Sequence, residues 1–407
     1  MRIALFLGHP AHFHMLKHAA AGLKAHGHEV FFVIKKKDIL ENLCQDAGFE
    51  YFKIREGRGG SKLGLIKSVL GMEWHMLQFI RRNKIDILVG STLSFAAAKL
   101  ARIQVIAMGE DDADVVPNYA KLVYPFASVV LTPDSCKNGK WESKSSKYPG
   151  YHELAYLHPN HFTPDPEVVR SYGIPVPSSP SQLVPQVTNS SSDSSQKEQA
   201  KPYFILRFAS LNAHHDSGIK GINTEIAQRL VEILKPHGQI YITSERPLEP
   251  QFEQYRIKIN PLDMHHVMAF ASLYIGDSQT MAAEAGVLGV PFVRFNDFVG
   301  RIGYLRELED KYELGYGIHA TVLSEDSDIR RNDGAVQPSG VEELYKRVET
   351  LVAMKADERK AVWAERQKQM LADKIDCAKF LTYFIENYPQ SVEETKRGGA
   401  EFWLQFR

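Results

Sequence analysis

Cysteine is scarce in this chain: Cys44, Cys136 and Cys377 are the only three in 407 residues, and they lie far apart. An odd number without metal-ligand spacing gives neither a disulfide framework nor a thiolate metal site, and it fits a reducing, cytoplasmic compartment. An excess of charge is also missing, since 49 basic residues face 49 acidic ones. That balance speaks against a broad nucleic-acid footprint, which would need a strongly basic surface. No apolar run reaches the ~18 residues of a membrane span. The opening MRIALFLGHP has only a short apolar stretch, broken at Gly8 and Pro10, so it reads as a first strand rather than a signal peptide.

What is present is an ordinary globular composition, 44% hydrophobic and 24% charged, in a chain too long for one core. Strand-like and helix-like segments alternate. RIALFL, HEVFFVI, FEYFKI, IDILVG, QVIAM and ASVVLTP read as strands, with helices at 13–26, 38–47, 63–83 and FAAAKLAR. Residues 174–202 then turn rich in Pro, Ser and Gln and lose periodicity, as a linker or insertion does. The alternation resumes with YFILRF, QIYITS, RIKI, LYIGD and PFVRF, and with helices near 222–235, 263–271 and 279–288. Residues from Gly340 to Tyr388 look wholly helical. The expected fold is α/β: two Rossmann-like domains, 1–173 and 203–370, with a cleft between them and a helical tail, 371–407, packing back on the first.

In such sheets ligands sit at the carboxyl ends of strands, against helix N-termini whose free N–H groups accept phosphate. The segment GDSQTMAAEA has that form. Asp277, Ser278, Gln279 and Thr280 make the turn, and Glu284 stands a turn and a half into the helix, where it can accept hydrogen bonds from ribose hydroxyls. A sugar nucleotide would satisfy both features; an N-cap before a buried helix is the plainer reading. The loop RFASLNAHHDSGIKGI offers Arg207, His214, His215 and Lys220 to a diphosphate, and Ser244 and Glu245, with Arg246, end another strand of the same half.

In the first half, His9, His12 and His14 crowd the loop after the first strand. An imidazole there titrates near neutrality and suits a general base; capping or surface roles are the alternative. GEDDAD supplies Glu110, Asp111 and Asp112 for acid–base work or a divalent ion, or simply makes a solvated acidic loop. YPGYHELAYLHP either lines the cleft or packs between domains. KSVLGMEWHMLQFIRR, residues 67–82, is basic and aromatic enough to touch a membrane surface, against the simpler reading of a domain-covering helix. Trp403 and Phe406, in the terminal FWLQFR, are candidates for a homodimer contact if exposed.

GHPAHFHMLK, GEDDADVVP, YPGYHELAYLHP, LRFASLNAHHD and GDSQTMAAEAGVLGVP together resemble the family called domain of unknown function 354. That family is similar to enzymes of the GT-B fold, among them the non-hydrolysing UDP-N-acetylglucosamine 2-epimerases. Against the epimerase pattern SDSGGxQEE, Asp277, Ser278 and Glu284 match, Gln279 and Thr280 replace the glycines, and Ala283 replaces the first glutamate. Ser91, in GSTLS, stands where the epimerases carry an aspartate; Glu110 matches a glutamate of theirs, and His214 or His215 replaces their phosphate-binding loop residues. The resemblance implies nucleotide binding with altered detail.

The expected activity is transfer of a sugar from a nucleoside diphosphate, UDP foremost, to an acceptor hydroxyl in surface polysaccharide or glycoconjugate synthesis. A 2-epimerase-like isomerase is the alternative, and a non-catalytic sugar-nucleotide-binding protein the third reading. The expected partners are the donor and a glycan or lipid-linked acceptor, with no metal and no cofactor beyond the nucleotide sugar. The expected location is cytoplasmic, including the inner face of a membrane.

Overall fold

The computed structural model describes residues 1–35, 38–54, 62–91, 95–177, 201–209, 221–320 and 340–407. The chain forms two compact units: Met1–Phe162 with Ala372–Arg407, and Thr163–Leu371. Residues 163–173 belong to the second unit, although the sequence places them with the first.

The first unit is built on seven parallel strands: β1 (Arg2–Leu7), β2 (Glu29–Lys35), β3 (Tyr51–Ile54), β4 (Ile87–Gly90), β5 (Gln104–Met108), β6 (Val129–Pro133) and β7 (Ser145–Tyr148), in the order β3-β2-β1-β4-β5-β6-β7. β1, β4 and β6 are almost wholly buried, as strands covered on both faces must be. Helix Pro10–Ala25 starts three residues earlier than the periodicity suggests, because His9 caps it and Pro10 occupies its first position. β7, the polar SSKY, escapes a hydrophobicity-based reading: its pairing with β6 supplies the order that its side chains do not advertise.

The second unit has five parallel strands: β8 (Tyr203–Phe208), β9 (Gln239–Ser244), β10 (Leu273–Gly276), β11 (Phe292–Phe295) and β12 (Gly315–Ile318), in the order β12-β11-β10-β8-β9. RIKI is not a strand; Arg256 makes a single bridge to Ile242. Arg294 of β11 is fully buried and bidentate to Glu309, with Nη2 at 2.8 and 3.1 Å from its carboxylate oxygens. The carboxyl-terminal helices are Gly340–Ala353, Ala356–Asp373, Cys377–Glu386, Gln390–Arg397 and Ala400–Leu404. Within the first unit, helix Cys377–Glu386 packs against helix Pro10–Ala25. Phe406 is buried and Trp403 half-buried, their rings 5.3 and 5.4 Å from that of Phe380. The terminal aromatics therefore close the unit's own core rather than standing exposed.

In both sheets the order reverses beside the first strand: β1 continues to β2 on one side and is flanked by β4 on the other, and β8 has β9 and β10 in the same relation. Gly90 ends β4 with φ +134°, and a Cβ there would stand 2.5 Å from the Phe6 carbonyl oxygen. Gly90→Ala is accordingly expected to destabilise the first unit by about 2–4 kcal/mol, read as a lower denaturant midpoint at unchanged slope.

Candidate functional site

In the second unit the strand-order reversal falls between β8 and β10, and Arg207, Asp277, Ser278, Gln279 and Thr280 lie at the carboxyl ends of these two strands. Ser278 caps helix Gln279–Val287, its Oγ accepting from Met281 N–H at 3.5 Å. The first-turn N–H groups have no partner within the helix, and its positive dipole end lies there. Ser278, Gln279 and Thr280 are half-buried.

Asp277 is buried and already engaged. Its carboxylate accepts from Ala209 N–H at 2.6 Å and Ile222 N–H at 3.3 Å, while Asn296 Nδ2 donates to its carbonyl at 3.0 Å. Burial pushes the carboxyl up to about 6, the two backbone N–H groups pulling the other way. Asp277 is thus a buried brace between the chain leaving β8 and the chain leaving β10. His214, His215 and Lys220 lie outside the described residues.

Arg207, at the end of β8, pairs with Glu245 through Nη2. Its buried Nε has no hydrogen-bond partner among the described residues. Ser244 Oγ donates to the Arg246 carbonyl at 2.7 Å and accepts from Arg246 N–H, a local turn that spends the hydroxyl. Arg246 lies over the Phe208 ring at 5.2 Å and donates to the Ile222 carbonyl at 2.6 Å. Glu284 is buried, with Oε1 2.9 Å from His265 Nε2. The sequence hides this pairing, because His265 sits on a short helix of its own, Met264–Ala269, beside a second histidine, and nothing local links it to Glu284.

In the first unit the reversal falls between β1 and β4. Gly8 N–H donates to His12 Nδ1 at 3.1 Å. A neutral His12 then carries its proton on Nε2, the tautomer of a donor rather than of a base. His14 is buried, its ring 5.4 Å from that of Tyr156, a packing position. Ser91 Oγ donates to the Met108 carbonyl at 2.6 Å.

Beyond β5, Glu110 is held from two sides by one residue. Its Oε1 accepts from His152 N–H at 3.0 Å, and its Oε2 lies 3.2 Å from His152 Nδ1. Burial lowers the His152 imidazole to about 4, against the pull of Glu153 and Asp111, so the ring is neutral near pH 7. Its Nε2 is buried without a partner among the described residues, as is the hydroxyl of Tyr148. Burial, reinforced by Cys377, Glu110, Cys136 and Glu153, raises the Tyr148 phenol. Asp111 is half-buried beside this group. Asp112 is buried and structural: its carboxylate accepts from Lys137 N–H at 2.5 Å. The result is a carboxylate oriented by a neutral imidazole at a strand end, an arrangement able to accept a proton from a hydroxyl. His152 and Tyr148 are the members that the sequence does not single out, although both lie in the aromatic stretch 148–159.

No protein-family model matches the sequence, and no curated protein matches it. Solved structures do. The chain is similar to the S. aureus MnaA–UDP co-structure, with TM-score 0.58, 12% identity and 97% of this chain and 98% of that chain covered. UDP-GlcNAc 2-epimerase from Neisseria meningitidis bound to UDP-GlcNAc gives 0.53, 12%, and coverage of 91% and 100%. The spinosyn rhamnosyltransferase SpnG complexed with thymidine diphosphate gives 0.56, 13%, and coverage of 95% and 100%. At such identity the likeness shows the fold, the GT-B type common to glycosyltransferases and UDP-GlcNAc 2-epimerases.

The depressed His152 pKa has a consequence for stability. Between about 6.5 and 4 the unfolded chain takes up a proton that the buried ring refuses, so this group's contribution falls as pH drops through that window. Asp277, held up to about 6 from 3.8, works with the opposite sign. In His152→Asn the fall in unfolding temperature from pH 7 to 4.5 should be shallower than in wild type, with Asp277 titrating equally in both. Parallel curves would show that His152 protonates freely in the folded protein.

Proposed function

We propose that the chain is a GT-B glycosyltransferase that moves a sugar from a nucleoside diphosphate donor, UDP-linked in the first instance, to an acceptor hydroxyl of a surface polysaccharide or glycoconjugate. One observation carries the donor half of this reading. The capped N-terminus of helix Gln279–Val287 stands at the strand-order reversal, and on the neighbouring strand is the buried Arg207 Nε, without a hydrogen-bond partner among the described residues. Helix N–H groups and a guanidinium are what a diphosphate leaving group needs as its charge develops.

The acceptor half rests on Glu110 and His152. Glu110 takes the proton of the acceptor hydroxyl as its oxygen bonds to the anomeric carbon, and the bond from that carbon to the diphosphate breaks with its electron pair. His152, neutral and hydrogen-bonded to Glu110, fixes the direction of the carboxylate. His12, with Nδ1 accepting from Gly8, acts as a hydrogen-bond donor rather than the base. Epimerisation at C2 fits less well: at the position where the 2-epimerases carry a carboxylate stands Ser91, whose hydroxyl is bonded to the Met108 carbonyl.

A thermal-shift panel with UDP, GDP, CMP and their sugar conjugates tests the donor site. A ligand at about a hundred times its dissociation constant adds roughly 2.7 kcal/mol to the folded state, and Arg207→Gln should lower that affinity. With a donor identified, Glu110→Gln should cut turnover by about 10²–10⁴ while nucleotide affinity stays within about twofold. Solvent deuterium entering at C2 without acceptor would favour the isomerase; no shift with any nucleotide would overturn both enzymatic readings.

A further inference from the structure

Among the described residues ten large hydrophobic side chains are exposed, and five of them lie on one side of the first unit: Leu70, Trp74, Leu100, Leu122 and Phe126. They sit on or directly after three helices, Lys62–Arg82, Phe95–Ala101 and Pro117–Val123. The inner faces of these helices feed one core cluster against β1, β4, β5 and β6, through Met76, Phe95, Ala98, Ala120 and Val123. They therefore form one layer, and the five apolar side chains stand on its outer surface. Leu70 and Trp74 are 63% and 57% exposed, and Leu100 and Leu122 68% and 57%. On the long helix Lys67, Leu70, Trp74, Gln78 and Arg81 fall within an arc of about 80° at 100° per residue.

Charge is segregated in the same place. The three helices carry six Lys and Arg residues and one carboxylate, Glu73, in a chain whose total charge is zero. Glu73 is turned into the layer, where its Oε2 accepts from Ala97 N–H at 2.7 Å. Lys67, Arg81, Arg82, Lys99 and Lys121 are exposed and enter no ion pair among the described residues. No described helix is long and apolar enough to cross a membrane.

We propose that the outer face of this helix layer docks on an anionic lipid bilayer, with Leu70, Trp74, Leu100 and Leu122 entering the headgroup boundary and the lysines and arginines meeting lipid phosphates. Scattered apolar anchors among unpaired cations of one sign match an interfacial surface. A protein interface of this size would be depleted of lysine at its centre. The inference stands apart from the proposed catalytic reading and holds for any activity.

Vesicle flotation of the full chain tests it. The protein should float with phosphatidylcholine vesicles containing about 30% phosphatidylglycerol and not with pure phosphatidylcholine, and added salt should release it. Leu70→Ser with Trp74→Ser, and separately Lys99→Glu with Lys121→Glu, should each weaken binding about tenfold or more with wild-type circular dichroism and unfolding temperature. The proposal falls if the wild type does not float, or if both double variants bind as wild type does. It falls equally if light scattering shows a dimer that the first pair of substitutions dissolves while vesicles are ignored, since the face would then belong to a second copy of the chain.

Discussion

A parallel sheet buried on both faces has nowhere to put functional side chains except beyond its strand ends, and both units of this protein are shaped by that constraint. Within each sheet the chain must also leave the first strand in one direction and return on its other side. The gap opened there is bounded by backbone rather than by side chains, so each unit needs a local device to close it. In the first unit it is the absence of a side chain: Gly90 lets β4 lie against the Phe6 carbonyl. In the second it is a buried carboxylate, because Asp277 collects the N–H of Ala209, just beyond β8, and that of Ile222, just before helix Thr224–Leu234.

This explains how far the sequence could be read. Alternating apolar runs and helical periods disclosed the α/β architecture, since a strand such as RIALFL or YFILRF has few other uses. Strands whose side chains carry no such signal, SSKY and GYGI, were invisible, because only pairing with a neighbour defines them. The candidate loops were visible as small and polar residues after strands. Their pairings were not: Glu110 and His152 are 42 residues apart, and Glu284 and His265 are 19 apart on different helices. Asp277 and Asp112 illustrate the opposite error of emphasis. Each is a carboxylate in a ligand-like motif, yet each is committed to backbone N–H groups, a role that local sequence does not separate from binding.

Burial acts on the two sites with opposite electrostatic results. It makes the His152 ring refuse a proton, which leaves a neutral partner that orients Glu110 without cancelling its charge. It makes the Asp277 carboxylate costly to ionise, so two backbone donors are needed to hold it. The first arrangement sets a neutral ring against a carboxylate at a strand end. The second spends charge on shape. The two carboxylates thus differ in what their neighbours do, although both stand in ligand-like motifs at strand ends.

The same distinction bears on the histidines of the first loop. A general base must present a lone pair, and the lone pair of His12 Nδ1 is directed at Gly8 N–H. His14 is turned into the aromatic packing around Tyr156. Neither is placed to remove a proton, although their type and position suggest it. Glu110, fixed by two contacts from His152, keeps the geometry a base requires. Ser91 is bonded to the Met108 carbonyl, and among the described residues Glu110 is the strand-end carboxylate that His152 orients. An oriented carboxylate at a strand end is what activation of a single incoming hydroxyl would require, and that is the ground on which the transferase proposal rests.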